Sequence, residues 1–163
     1  MLAGKVYFIT GSTDGIGKHT AQLLSQHGGS VIIHGRSPQR LADTAASLPH
    51  PPLASFVADF SDFTQVRHLA DDVISKNITI DVLINNCGTF EQQKKTCASG
   101  LEKTWAVNVA APYLLTSRLF DIIKERIVNV ASISAASSID FNNLQQVRLT
   151  LVVVFIQSNA VVT

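Results

Sequence analysis

The segment from Lys5 to Gly17 restricts the fold of this chain more than any other. An apolar run, Val6-Tyr7-Phe8-Ile9, leads straight into Thr10-Gly11-Ser12-Thr13-Asp14-Gly15-Ile16-Gly17, and an amphipathic helical pattern starts at once. A short apolar run ending in turn residues has the length of a buried strand, and a helix opening directly on a glycine turn is the next part of a βαβ unit. The rhythm repeats. Apolar runs place strands near 5–10, 30–34, 53–57, 80–85 and 126–131, with helical patterns near 15–28, 38–48, 62–76 and 99–124. Alternation of this kind predicts an α/β fold built on a doubly wound parallel sheet, with helices covering both faces. At 163 residues, 46% of them hydrophobic and 15% charged, the chain has the material for one domain with a core.

Local chemistry refines these elements. The third helix carries Phe63, Val66, Leu69, Val73 and Ile74 at spacings that line one face. In the fourth, Leu101, Trp105 and Val109 form a stripe ahead of Pro112, which lacks an N–H and crowds the preceding turn, so two helices or one kinked helix are expected. His50-Pro51-Pro52 forces a turn before the third strand, and Ser61 is the expected cap of the third helix. The domain is expected to span 1–146. From Val147 the pattern changes: Leu149 to Ile156 is a nearly unbroken apolar run with neither helical nor alternating period. Residues 147–163 therefore read as a divergent tail, either a fully buried strand or a segment foreign to the fold. That run is too short to cross a bilayer, which takes about 20 residues.

A net charge of +1 with scattered basic residues gives no electrostatic footprint for nucleic acid or for an acidic membrane surface. With only Cys87 and Cys97, and no apolar leader ahead of the first strand, the chain reads as an intracellular, cytoplasmic protein with reduced thiols. No metal site is assigned.

Gly11, Gly15 and Gly17 stand where a turn brings backbone amides up to a pyrophosphate, and the helix beginning there offers unpaired N–H groups and the positive end of its dipole. A tight strand-to-helix turn alone would also use glycine. The G-x-x-x-x-G-K-[ST] loop of ATP and GTP sites does not fit, because Ser12 stands at its first glycine and His19 at its hydroxyl. In dinucleotide sites an acid about 20 positions past the loop binds the adenosine ribose of NAD, whereas an arginine accommodates the 2′-phosphate of NADP. No Asp or Glu occurs between Asp14 and Asp43, and the second strand ends His34-Gly35-Arg36. The expected cofactor is NADP(H) in preference to NAD(H), with Arg36 on its phosphate. The alternative for Arg36 is a solvated loop charge.

From the first strand to about Ser138 the chain resembles the short-chain dehydrogenases/reductases. The family's TGxxxGxG matches Thr10 to Gly17, and its Asn-Asn-Ala-Gly segment stands here as Asn85-Asn86-Cys87-Gly88. The resemblance implies a Rossmann-type fold and a cofactor held by Thr10, Gly11, Ser12, Thr13, Gly15, Ile16 and Gly17, joined by Asn86, Cys87 and Gly88. It matches Asp59 to an acidic contact with the adenine ring, Asn108 to the active-site Asn and Ser132 to the catalytic Ser. Ordinary roles remain open: a strand-end turn for Asp59, a polar helix position for Asn108 and a loop hydroxyl for Ser132. For Cys87 small buried packing is the expectation, since no neighbouring cation activates a thiolate.

By this resemblance the family moves a hydride between a nicotinamide and a carbonyl or alcohol. Its Ser holds the substrate oxygen, a Tyr exchanges the proton, and a Lys four residues later lowers the Tyr pKa and binds the nicotinamide ribose. Here no Lys, Tyr or His follows Lys124. The corresponding stretch reads Asn142-Asn143-Leu144-Gln145-Gln146-Val147-Arg148-Leu149, and the two tyrosines, Tyr7 and Tyr113, lie elsewhere. Arg148 is no acid at neutral pH. General acid–base catalysis contributes about 10²–10⁴-fold, so its loss costs roughly 3–5 kcal/mol of barrier. The chain is therefore expected to bind cofactor with impaired catalysis. A non-catalytic NADP(H)-binding or regulatory protein, and an incomplete chain that does not fold stably, are the alternatives. The resemblance further implies a sheet incomplete on its C-terminal side, a compromised subunit-packing helix, and an end that is truncated or alternatively encoded.

Overall fold

The computed structural model describes residues 2–132 and residue 143. Five strands, β1 (Val6–Ile9), β2 (Ser30–Gly35), β3 (Ala54–Val57), β4 (Ile80–Asn85) and β5 (Ile123–Asn129), form one parallel sheet in the order β3-β2-β1-β4-β5. Helices α1 (Gly15–Gln26), α2 (Pro38–Ser47) and α3 (Phe63–Ser75) connect the first four strands. A short α4 (Lys103–Trp105), a π-helical stretch (Ala106–Ala110) and α5 (Ala111–Leu119) carry the chain from β4 to β5. This is the doubly wound α/β sheet of Rossmann type that the alternating pattern predicts.

Alternation within each strand sorts the core. Phe8 and Ile32 join Val66, Leu69 and Val73 of α3 and Leu115 and Leu119 of α5 on one face. Tyr7, Ile9, Val31 and Ile33 pack on the other, against Ala21 and Leu24 of α1 and Leu41 of α2. Because both faces are covered, β1 and β2 read as unbroken apolar runs even though their side chains alternate. Strand order reverses between β1 and β4, so a crevice opens at their C-terminal ends. The glycine loop leaves β1 there, and Asn86-Cys87-Gly88 leaves β4 beside it.

Several boundaries depart from the sequence expectations for local reasons. The fourth helical stretch ends at Leu119, a 3-10 turn (Phe120–Ile122) follows, and β5 begins at Ile123. Pro112 does not break the helix. It sits in the first turn of α5, where a missing N–H is tolerated, and the stretch ahead of it is widened, with Ala111 N–H donating to Ala106 O five residues back. The stripe Leu101, Trp105, Val109 is not the core face: those residues are half-buried, and Val107, Ala111, Leu115 and Leu119 are buried instead. Ile74 of the α3 stripe is exposed. Asp62, not Ser61, caps α3, its Oδ1 accepting Thr64 N–H at 2.9 Å. The tail expected over 147–163, with its apolar run, lies outside the described residues, and among the described residues no helix is long and apolar enough to cross a membrane.

Candidate functional site

Side chains under the glycine loop fasten it to the end of β4. Buried Thr10 accepts the N–H groups of Asn86 and Cys87 on Oγ1, each at 3.0 Å, and donates to Ile84 O at 3.3 Å. Asn86 Nδ2 returns the link by donating to Thr10 O and Gly11 O, both at 3.0 Å. Removing the hydroxyl leaves two N–H donors without their acceptor, so Thr10→Val should lower stability by about 2 kcal/mol, read from urea unfolding. Ser12 is equally buried: Oγ accepts His34 N–H at 2.9 Å and donates to His34 O at 3.2 Å.

The three loop glycines serve different ends. A Cβ at Gly11 (φ +63°) would lie 2.8 Å from Cys87 Cα, and one at Gly17 would lie 2.3 Å from Asn86 Nδ2 and 2.4 Å from Gly11 O. Close packing of the protein on itself requires both, rather than the approach of a ligand. At Gly15 (φ +50°) a Cβ would meet nothing within 4 Å, so this turn faces open space. Beside it Asp14 caps α1, its Oδ1 accepting Gly15 N–H at 2.8 Å.

A cavity of about 380 Å³ opens over the loop. Of the residues expected to hold a cofactor, Gly11, Thr13, Gly15, Ile16 and Arg36 line it from the β1 and β2 side, and Asp59, Asn86, Cys87 and Gly88 complete it. Thr10, Ser12 and Gly17 are buried outside that lining. Arg36 is exposed and forms no ion pair among the described residues. Asp59 Oδ1 accepts from Ser61 N–H at 2.8 Å and from Ser61 Oγ at 2.7 Å, a local turn at the end of β3. Burial pushes the Cys87 thiol up to about 12, which makes it packing rather than a nucleophile.

Of the lining residues that the sequence reading left out of the site, two carry side-chain nitrogens. His34, buried on β2, accepts Gly11 N–H on Nδ1 at 3.1 Å, while Nε2 lies 3.0 Å from Ala58 O and the ring stacks on Phe60 with centroids 4.6 Å apart. Because Gly11 N–H can only donate, the proton must sit on Nε2. Burial holds the ring down to about 4 in pKa. The available signal was a histidine inside a run of buried strand residues, which must find partners for both nitrogens. Lys103 is the second: its ammonium, 2.6 Å from Glu91 Oε1, belongs to a cavity that no local motif connects it with.

A larger cavity of about 710 Å³ adjoins β4, β5 and the helical stretch from Trp105 to Thr116. Asn108 and half-buried Ser132 both line it. Asn108 grips the loop after Gly88, its Oδ1 accepting Thr89 N–H at 2.8 Å and its Nδ2 donating to Thr89 O at 2.9 Å. Asn85 Nδ2 donates to Thr116 Oγ1 at 3.0 Å and Asn129 Oδ1 at 2.9 Å, and its own Oδ1 is buried with no hydrogen-bond partner among the described residues. Tyr113 also lines the cavity, exposed on α5, whereas Tyr7 is buried in β1. Among the described residues no Lys, Arg or His lines this cavity beside Tyr113.

Residues 5–143 match the short chain dehydrogenase family. Retinol dehydrogenase 13 of Homo sapiens is 32% identical over 152 residues, covering 88% of this chain and 46% of that protein. Polyprenol dehydrogenase of Homo sapiens is 31% identical over 140 residues, covering 78% and 42%. The chain thus spans about half the length of the curated relatives it matches. Among solved structures, the Pseudomonas aeruginosa RhlG/NADP active-site complex aligns with a TM-score of 0.73 at 29% identity, covering 85% of this chain and 59% of that one. A blue fluorescent protein from a metagenomic library in complex with NADPH aligns at 0.69 with 27% identity, covering 81% and 57%. With the glycine loop, the Asn-Asn-x-Gly turn and the parallel sheet all in their places, this chain belongs to the short-chain dehydrogenase family.

Proposed function

We propose that the chain binds NADP(H) in preference to NAD(H) at the glycine loop, and that its family's hydride transfer to or from a small carbonyl or alcohol is impaired in this chain. One observation carries the cofactor preference: Arg36 stands on the cavity rim with no carboxylate partner among the described residues, and no Asp or Glu occurs between Asp14 and Asp43. The open face of Gly15 and the N-terminus of α1 suit a pyrophosphate, and Asp59 lies in the same lining for the adenine. The NADP and NADPH complexes among the structural relatives support this assignment. Two free cysteines suit a reducing compartment such as the cytoplasm.

When bound, the cofactor supplies or accepts the hydride. The chain's own part is positioning. Ser132 offers a hydroxyl to a substrate oxygen, and Asn108 holds the Thr89 turn beside the same cavity. Protonation of that oxygen needs an acid, and the amide-rich sequence after Ser132 provides none, while among the described residues no Lys, Arg or His lines the cavity.

The test is a fluorescence titration of purified protein with NADPH and NADH, alongside turnover of aldehydes and ketones. Arg36→Ala should weaken NADPH about tenfold and NADH by less than about twofold. Turnover should lie at least about a hundredfold below the range of roughly 1–10³ per second common to enzymes. Equal affinity for the two cofactors sinks the preference, and turnover within that range sinks the impairment.

A further inference from the structure

The two cavities differ in what their polar groups are left to do. They meet at a wall, for Ile16, Asn86, Cys87 and Gly88 line both. In the larger one the amides are committed to the protein: both ends of Asn108 are on Thr89, Asn86 Nδ2 is on Thr10 O and Gly11 O, and Asn85 Nδ2 is shared by Thr116 and Asn129. Asn85 Oδ1 is the exception, and Trp105, Val109, Pro112, Tyr113, Ile127 and Val130 make much of the remaining wall apolar. The smaller cavity keeps its groups on offer. Arg36 has no ion pair among the described residues, Gly15 presents an open turn at the start of α1, and Asp59 meets Ser61 through Oδ1, with Oδ2 as a second acceptor.

A dinucleotide that crosses the wall must order its nicotinamide half, an entropy cost that only new hydrogen bonds or close packing repay. The larger cavity, at about 710 Å³, has the size that encloses a whole drug-sized molecule, so a single planar ring leaves most of it unfilled. Packing and hydrogen bonding therefore both favour the adenosine side. We infer that the unit this chain recognises is an adenosine diphosphate, whatever group extends its 5′ end, and that the nicotinamide adds nothing to affinity. This rests on the cofactor reading above and names the part of the ligand that is held. Oxidised and reduced cofactor then bind alike, together with adenosine diphosphates that carry no nicotinamide. A chain of this kind responds to the level of such compounds and not to their redox state.

Calorimetric titrations of the full chain compare two pairs of ligands, NADPH with 2′-phospho-ADP-ribose and NADH with ADP-ribose. Within each pair only the nicotinamide differs, so the comparison is independent of the ribose phosphate. In both pairs its loss should change Kd by less than about threefold, and NADP+ should match NADPH within the same margin. Val109 lines the larger cavity and not the smaller, so Val109→Trp should leave all four ligands within about threefold of the wild type. A larger loss on removing the nicotinamide overturns the inference, and Val109→Trp then weakens NADPH and NADH while sparing the two ADP-ribose forms. If NADPH still binds more tightly than NADH in that case, the cofactor preference survives. Matched pairs with no difference between NADPH and NADH support the inference and remove the preference. A chain that binds none of the four loses both. Should Val109→Trp fail to fold, the wild-type pairs decide alone.

Discussion

Gly17→Ala is expected to destabilise the protein by about 3–5 kcal/mol, although the same exchange at an open helix position stabilises by about 1 kcal/mol. The added methyl would stand 2.3 Å from Asn86 Nδ2 and 2.4 Å from Gly11 O. Neither neighbour is the free end of a flexible side chain. Asn86 Nδ2 is fixed by its bonds to Thr10 O and Gly11 O, so it can move only by giving up both. The other escape is a shift of α1, which would drag Ala21 and Leu24 away from Tyr7 and Ile9. Against a typical total stability of about 5–15 kcal/mol, either response removes a large share. Gly15→Ala is the comparison. It carries a positive φ of +50° but has nothing within 4 Å, so its cost is the left-handed backbone alone, about 1–2 kcal/mol. Urea unfolding of the two variants should put the Gly17→Ala midpoint well below that of Gly15→Ala. The reverse order would show that the loop's tight fit is not what Gly17 secures.

Local patterns carried most of the fold and part of the site. β1 and β2 were legible because strands covered on both faces are unbroken apolar runs, and α1 because it opens on a glycine turn. β5 was not, at its start: among the described residues it lies at the edge of the sheet, and Lys124, Glu125 and Arg126 are exposed, so that stretch carries no apolar signal. The face of the fourth helical stretch was misread because Leu101-Trp105-Val109 and Val107-Ala111-Leu115 both repeat every four residues, and only contact with the sheet and α3 selects the second. In the site, Arg36 and the glycines could be read from spacing along the chain. The bonds that hold them could not. Thr10 meets Asn86 across 76 residues and His34 meets Ala58 across 24, separations at which residue type alone names no partner.

Acid should act on the folded protein through His34. Its folded pKa of about 4 lies below the ordinary 6.5, chiefly because burial disfavours the charged ring, with the Ala58 carbonyl and Asp59 pulling weakly the other way. Between those two values the unfolded chain binds a proton that the folded one refuses. The stability is therefore complete above about pH 6.5, falls as the pH drops through the window, and levels off near pH 4. A gap of this width corresponds to about 3 kcal/mol. The mechanism is visible at Nδ1: a proton there would face Gly11 N–H at 3.1 Å, donor against donor, and would loosen the loop itself. Carboxylates held low by their partners, such as Glu91 at about 2 beside Lys103 and Lys95, lose their contribution further down the scale, as the pH falls through their own folded values. His34→Gln separates the two windows. Glutamine can still donate to Ala58 O and does not titrate, so the variant should be less stable near pH 7.5 yet nearly flat from about pH 6.5 to 4.5, where the wild type declines. Urea midpoints across that range decide the matter, and parallel curves for the two proteins would remove His34 as the cause. If the glycine loop holds the cofactor as proposed, binding of NADPH over the same range should follow the same division, weakening with acid in the wild type more steeply than in His34→Gln, because the N–H that His34 holds belongs to that loop.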